Sequence, residues 1–374
     1  LIVDDSALMR RLLSDLLSSS PEIEIAGVAR DGREAVLQAI RLKPDVITLD
    51  VEMPEVSGLD ALPSLLAVHE APIIMVSALT REGADITLQA LELGAVDFVH
   101  KPDKNQLAEI RARRDILVSK VLAASQSRVR RPLRRSLGGG ESTGSSSGII
   151  RPARPSAPVP PARTRPPVAA GAGSFPPAGC VVIGISTGGP QALSQVFPLL
   201  ARNSPPILVV QHMPGQFTGI FADRLDRYCP LAVKQAEEGD LVVPERILVA
   251  PGGRHMSLTG YPPRVKVTLS DEPPVSGHRP SIDVLFQSAA KVYQSMVTGL
   301  IMTGMGRDGV EGCKAILAAG GFTLGQDEAT SVVYGMNKAA FLESAIRGQF
   351  GLDELPEILR NLAGYRAEIE DVKE

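Results

Sequence analysis

Only three cysteines occur in 374 residues, Cys180, Cys229 and Cys313, and no two of them form a CxxC pair. So sparse a set argues against a disulfide framework and against a structural zinc site, and it fits a reducing compartment, so a cytoplasmic location is expected. No apolar run is long enough to span a bilayer, although 44% of the residues are hydrophobic, and no signal peptide opens the chain. The first residue is Leu1 rather than Met, inside what reads as a strand, LIVDD, so a trimmed N-terminus is expected. Excess charge is lacking too. A net charge of -3 predicts neither a nucleic-acid surface nor membrane insertion. The length leaves room for two domains with proper cores.

What is present falls into segments of different character. From 1 to 124, short apolar runs alternate with amphipathic stretches: LIVDD and SALMRRLLSDLL, IEIAGVA and GREAVLQAI, DVITLD and LDALPSLLAV, PIIMVSA and ADITLQALEL, DFVHK and a charged helix from Asn105. This alternation implies a doubly wound α/β domain, a parallel sheet with helices on both faces. Residues 125–178 turn to Arg, Pro, Gly and Ser with almost no large apolar groups, which reads as a disordered linker. Its arginines suggest a nucleic-acid arm, but no aromatics are interleaved, so a solvated tether is favoured. From 179 to 365 the rhythm resumes in a second doubly wound α/β domain, with VVIGI, PILVVQH and VTGLIMT as strands. A helix is expected around Gly219 to Tyr228, and RILVAPGG and RVKVTLS read as shorter strands that suit a hairpin. Residues 366–374 form an acidic tail.

Loops at the carboxyl ends of parallel strands share one edge, where ligands bind. In the first domain that rule gathers Asp4 and Asp5, Asp50, Ser77 and Lys101. Packed carboxylates repel one another unless a cation lies among them, and an all-oxygen set suits Mg²⁺. A lone Asp there would read as a helix cap; the whole set at matching strand ends does not.

Through VDDS, ITLDVEMP, VSA and HKP this half resembles the receiver domain of bacterial response regulators, across all five strands. The resemblance implies a flavodoxin-like fold in which Asp50 accepts a phosphoryl group from a histidine kinase. It further implies Asp5 as direct Mg²⁺ ligand with Asp4 assisting, Asp50 and the Glu52 carbonyl completing the metal set, and Ser77 and Lys101 on the phosphoryl oxygens. Phe98 takes the aromatic switch position. A receiver is a switch, so its output lies beyond the linker.

There the stretch VVIGISTGGPQAL contains GxSxG between a strand and a helix. Three readings stand: a nucleophile elbow at Ser186, a phosphate cradle at a helix N-terminus, or a plain turn in which Ser186 or Thr187 caps the helix behind Pro190. The Lys of a P-loop and the spacing of GxGxxG are both absent.

A serine nucleophile needs a base. Among five histidines, His69 and His100 belong to the first domain, His255 suits a loop or substrate role, and His278 suits a structural or substrate-contacting one. Only His212, closing PILVVQH, is placed by the strand-end rule that places Ser186. The same rule brings Asp308, in MGRDG after VTGLIMT, to that edge. Asp308 alone would read as a cap; three strand ends delivering Ser, His and Asp favour a triad. Its chain order matches none of the familiar hydrolases.

GISTGGPQAL, VVQHMP, HRPSIDVLF and IMTGMGRDG together resemble the catalytic domain of the chemotaxis protein-glutamate methylesterases, the CheB family. That resemblance implies a Rossmann-like catalytic domain hydrolysing glutamyl methyl esters on chemoreceptor cytoplasmic helices, with release of methanol, and deamidating certain receptor glutamines. It implies the triad Ser186, His212 and Asp308, with Thr187 and Met305 near the oxyanion and no cofactor for the hydrolysis. The long, Arg-rich linker departs from the family's short form. Two rival readings stand beside it: a regulator that holds a phosphorylated ligand on GISTGG without turnover, and a transcription factor. The second is disfavoured because the C-terminal half has no basic recognition helix.

Overall fold

The short apolar runs become strands and the amphipathic stretches helices in the computed structural model, which describes residues 1–77, 80–101, 107–127 and 179–362. The N-terminal half runs β1 (Ile2–Val3), α1 (Ala7–Leu17), β2 (Val28–Ala29), α2 (Gly32–Leu42), β3 (Ile47–Asp50), α3 (Gly58–Val68), β4 (Ile73–Ser77), α4 (Arg81–Leu93), β5 (Asp97–His100), α5 (Leu107–Ser125). Its five strands are all parallel in the order β2-β1-β3-β4-β5. Ser6, Asp31, Ser57 and Thr80 each accept a hydrogen bond from an amide in the first turn of α1 to α4, which is why those helices begin where they do. β3 and β4 are buried along their whole length, as strands covered on both faces must be. The second strand is shorter than IEIAGVA suggests: it lies at the sheet edge and pairs with β1 through Val28 and Ala29 alone.

The C-terminal half runs β6 (Cys180–Ile185), α6 (Gly189–Val196), β7 (Ile207–Gln211), α7 (Gly215–Tyr228), β8 (Ala232–Gln235), β9 (Arg246–Val249), β10 (His255–Thr259), β11 (Lys266–Ser270), α8 (Ile282–Tyr293), β12 (Val297–Ile301), α9 (Val310–Ala318), β13 (Phe322–Gln326), α10 (Met336–Leu342), β14 (Gly348–Phe350), α11 (Leu355–Arg360). Seven strands form a parallel sheet in the order β14-β13-β12-β6-β7-β9-β8. From β6 the chain adds β7, β9 and β8 on one side and β12, β13 and β14 on the other, so the order of strands reverses between β6 and β12 and the topological crevice opens beside the residues that follow those two strands. Two expectations change. RILV joins the large sheet as β9, and the hairpin is instead HMSLT with KVTLS, β10 with β11. The helix expected from Gly219 starts at Gly215, because Phe217 and Thr218 are already buried in its first turn.

Both sheets belong to one compact unit. The helix α4 of the first half packs on α6 and α7 of the second. Phe98 of β5 meets Phe217 of α7 with ring centroids 4.4 Å apart, inside an apolar cluster that runs on through both halves. Arg224 of α7 is bound by Asp85 and Glu92 of α4 at 2.8 and 2.6 Å. Of the expected linker 125–178, Ser125 closes α5 instead, and residues 128–178 lie outside the described residues, as does the acidic tail 366–374. No helix among the described residues is long and apolar enough to cross a membrane.

Candidate active site and phosphorylation site

β6 stops at Ile185, and the chain turns through Ser186 and Thr187 into α6. The turn needs its two glycines. Gly188 has φ +78°, and a Cβ there would lie 2.5 Å from Val332; on Gly189 it would lie 2.0 Å from Gln211 Oε1. Gly188 itself is the cap residue, and no side chain bonds the first turn of α6, so neither Ser186 nor Thr187 serves as its cap.

His212 follows β7 directly, and its amide donates to the Ile185 carbonyl at 3.1 Å, beside Ser186. Its Nε2 meets Asp308 Oδ2 at 2.9 Å. Asp308 also accepts from the Ser281 hydroxyl (2.8 Å) and the amides of Ile282 (2.7 Å) and Asp283 (3.2 Å). It therefore caps a helix, but α8 rather than its own α9. Burial works against the Asp308 charge, yet the His212 bond and the α8 donors outweigh it and hold the carboxyl below its usual range. Asp283, also buried, is pushed up to about 6 by desolvation and the nearby Asp308 charge, while accepting from the Gly309 and Gly312 amides that shape the Asp308 loop.

Ser186, His212 and Asp308 thus share one sheet edge, but the serine-to-imidazole hydrogen bond is not made. His212 Nδ1 is buried without a hydrogen-bond partner. The exit of β12 presses close, since a Cβ on Gly304 would lie 2.6 Å from Ser186 Cβ. The main-chain amides of Thr187 and Met305 make no hydrogen bond among the described residues.

Sequence reasoning missed Gln211. Its Nε2 donates to the carbonyls of both Ser186 (3.0 Å) and His212 (3.2 Å), tying the two loops together. The available signal was a lone amide at the end of an otherwise apolar, buried strand. His255 is a structural residue rather than a substrate one: it is buried between the Pro273 carbonyl and the Ser281 amide. All three cysteines are buried, and burial pushes the Cys180 and Cys313 thiols up, away from nucleophile chemistry.

In the N-terminal half, Asp4, Asp5 and Asp50 each bring a carboxylate oxygen within 4.8 Å of the others. Lys101 Nζ lies 2.6 Å from Asp50 Oδ2 and 3.2 Å from Asp4 Oδ2. Burial pushes the Asp50 carboxyl up to about 6, and the Asp4 charge adds to the rise while Lys101 opposes it. Ser77 is buried with its hydroxyl 3.3 Å from the Gly83 carbonyl. The Glu52 amide reaches Asp50 Oδ1 at 3.3 Å. Asp4 Oδ2 is buried and has no aligned hydrogen-bond donor, so the oxygen set fits a hard divalent cation.

The two sites are joined through β5. Lys101 stands at its carboxyl end, and at its start Asp97 Oδ2 accepts the Thr187 hydroxyl at 2.5 Å. Lys120 of α5 steadies Asp97 at 2.7 Å and lies 5.3 Å over the Phe98 ring.

Residues 181–359 match the CheB methylesterase domain, and residues 1–112 the response regulator receiver domain. The protein-glutamate methylesterase/protein-glutamine glutaminase 2 of Koribacter versatilis is 42% identical over 360 residues, 96% of this chain and 94% of that protein. The Pyrococcus abyssi protein of the corresponding name is 42% identical over 359 residues, 96% of this chain and 91% of its own. A crystal structure of the Thermotoga maritima CheB methylesterase catalytic domain is 38% identical, covering 50% of this chain and 99% of that one, with a TM-score of 0.49.

Two outcomes follow from the geometry. The raised Asp50 carboxyl holds its proton more tightly folded than unfolded, so its ionisation opposes folding as pH rises from about 4 to 6. Asp50→Asn removes that opposition: without divalent cations it raises the urea midpoint at about pH 8 by the equivalent of on the order of 1–3 kcal/mol, and the gain disappears near pH 4. A gain independent of pH would contradict the assignment. Gln211→Leu, which unties the serine and histidine loops, lowers turnover about tenfold or more at a nearly unchanged urea midpoint.

Proposed function

The chain belongs to the CheB family of protein-glutamate methylesterases, and from that premise we propose that it is a phosphorylation-activated serine hydrolase acting on glutamyl methyl esters of chemoreceptor cytoplasmic helices. The observation that carries this reading is the His212–Asp308 pair, 2.9 Å apart on the edge that also presents Ser186. In this mechanism His212 Nδ1 takes the Ser186 proton as the hydroxyl oxygen attacks the ester carbonyl. The amides of Thr187 and Met305 hold the oxyanion, and Asp308 stabilises the imidazolium. His212 then returns the proton to the leaving methoxide, methanol departs, and water repeats the sequence to release glutamate. An amide in place of the ester loses ammonia instead, which is the glutaminase reaction. Such substrates, and a histidine kinase as phosphodonor, put the work of the protein in the cytoplasm.

Control comes from the receiver. Asp50 attacks the phosphorus of a phosphohistidine, an oxygen–phosphorus bond forms, and the nitrogen–phosphorus bond breaks. Asp4, Asp5, Asp50 and the Glu52 carbonyl would hold Mg²⁺, which would neutralise charge on the transferred group. Lys101 and Ser77 then turn to the new phosphoryl oxygens, at a site that has gained about one to two negative charges. The pull on Lys101 acts on β5, whose far end carries the Asp97 contact to Thr187 and the Phe98 contact to Phe217. Unphosphorylated, that end of the receiver covers the residue next to the nucleophile. Released, it opens the edge to a receptor helix. A switch of this kind needs a docking change of about 1 to 3 kcal/mol.

Methanol release from methylated receptor, with and without a small phosphodonor, tests the scheme. Ser186→Ala abolishes it, by about 10,000-fold or more, with receptor binding retained. Asp50→Asn keeps basal release and loses stimulation; stimulation that survives the substitution refutes phosphoryl control. A protein that only holds a phosphorylated ligand would release no methanol at all. Asp97→Ala removes the bond to Thr187 and the ion pair with Lys120, which keeps its bond to the Phe98 carbonyl, so basal release rises about tenfold, the scale of one charge-assisted hydrogen bond, while the phosphorylated rate is unchanged. An unaltered basal rate would mean that the apolar contact alone holds the receiver in place.

A further inference from the structure

His278 lies flat against His212. Their ring centroids are 3.8 Å apart and the planes differ by 3°. The ring nitrogens of His278 make no hydrogen bond among the described residues, so the stack is the contact that orders this side chain. The backbone beneath it is rigid. Val275 and His278 exchange both main-chain hydrogen bonds, at 3.1 and 2.9 Å, across Ser276 and Gly277, which have φ of +53° and +80°. That is the tight two-residue turn in which both central residues take left-handed backbone. The next residue, Arg279, is held on both sides: its carbonyl accepts from the Gly253 amide and its guanidinium binds the carbonyls of Asp271 and Glu272.

His212 needs such a support. Its imidazole is held at one edge, through Nε2 to Asp308, and its Nδ1 has no partner. A ring with one hydrogen bond besides its Cβ attachment can still turn about the line that joins the two and carry Nδ1 away from the serine. We propose that His278 is a positioning residue for the esterase reaction: its flat ring, presented by the Val275–His278 turn, holds the His212 imidazole in the plane that points Nδ1 toward Ser186 and stays beside it as an uncharged face while His212 takes the proton. This inference rests on the hydrolase reading above.

The stack works only if one ring carries the charge. A neutral ring face attracts a cation lying over it, whereas two imidazolium rings at 3.8 Å would repel. The groups that face His278 are His212 after β7, Asp308 before α9 and Lys120 from α5 of the receiver. Burial, His212 and Lys120 together push His278 down to about 4 against the opposite pull of Asp308, so His278 is neutral throughout the range in which a serine esterase works.

The test uses the full-length protein, methylated receptor, and the variants His278→Ala, His278→Phe and Ser186→Ala. His278→Ala lowers kcat about tenfold to a hundredfold, the cost of a misplaced base, with KM within about twofold of the parent. His278→Phe, which keeps a flat ring but cannot titrate or donate, recovers most of kcat and retains the acid limb of the kcat/KM profile. The inference is overturned if His278→Ala turns over like the parent, or if the loss falls on KM, which would make His278 a substrate contact. It is overturned equally if His278→Phe, at a parental urea midpoint, is as slow as His278→Ala or loses the acid limb, since an imidazole nitrogen would then be doing chemistry. If Ser186→Ala itself still releases methanol, the hydrolase reading falls with it; if Ser186→Ala is dead and His278→Ala is normal, only the positioning role falls.

Discussion

The sheet edge that carries Ser186 and His212 depends on one carboxylate. Asp308 is buried, and a buried charge is tolerated only where donors surround it. Two amides and a hydroxyl at the start of α8 meet that need, and the remaining donor is His212. The interaction that steadies the helix also orients the imidazole. Asp283 closes the arrangement from the other side by gripping the glycines that carry Asp308 around its turn. Because α8, the loop after β12 and the loop after β7 meet at this group, the placement of the His212 imidazole is a property of the packed domain rather than of any one segment.

The receiver has the opposite problem, three carboxylates that crowd one another. Lys101 offsets part of the repulsion, and Asp4 keeps an oxygen without an aligned donor. In the proposed switch that frustration is what a divalent cation and a phosphoryl group would act on through Lys101. β5 runs from Asp97 to His100, with Lys101 just past one end and Asp97 and Phe98 at the other. A four-residue strand spans only about 13 Å, short enough for a shift at one end to be felt as packing at the other.

The contacts between the halves are of two kinds. Phe98 against Phe217 contributes apolar burial, which is insensitive to direction, whereas Thr187 to Asp97 and Arg224 to Glu92 and Asp85 demand register. Together they place the receiver over Thr187, the residue that follows Ser186, in one defined arrangement. A cover of this sort uses the hydroxyl of Thr187, a group the sequence reading assigned to the oxyanion region through its backbone alone.

The strand-end rule was enough to bring Ser186, His212 and Asp308 to one edge, and Asp4, Asp5, Asp50, Ser77 and Lys101 to another, because a parallel sheet covered on both faces writes itself as uninterrupted apolar runs whose last residues face the same way. Those runs depend on local composition, so they can be read from the chain alone. What the rule could not supply were the contacts made by groups distant in sequence: Asp308 serving α8 instead of α9, Gln211 bridging two loops, His278 stacking on His212, Asp97 reaching Thr187. Each is a pairing of one polar or aromatic group with another that lies tens of residues away, and nothing in the local sequence distinguishes the true partner from many of equal chemistry. Packing selects it, by bringing one candidate within bonding distance and burying both so that neither is left to water.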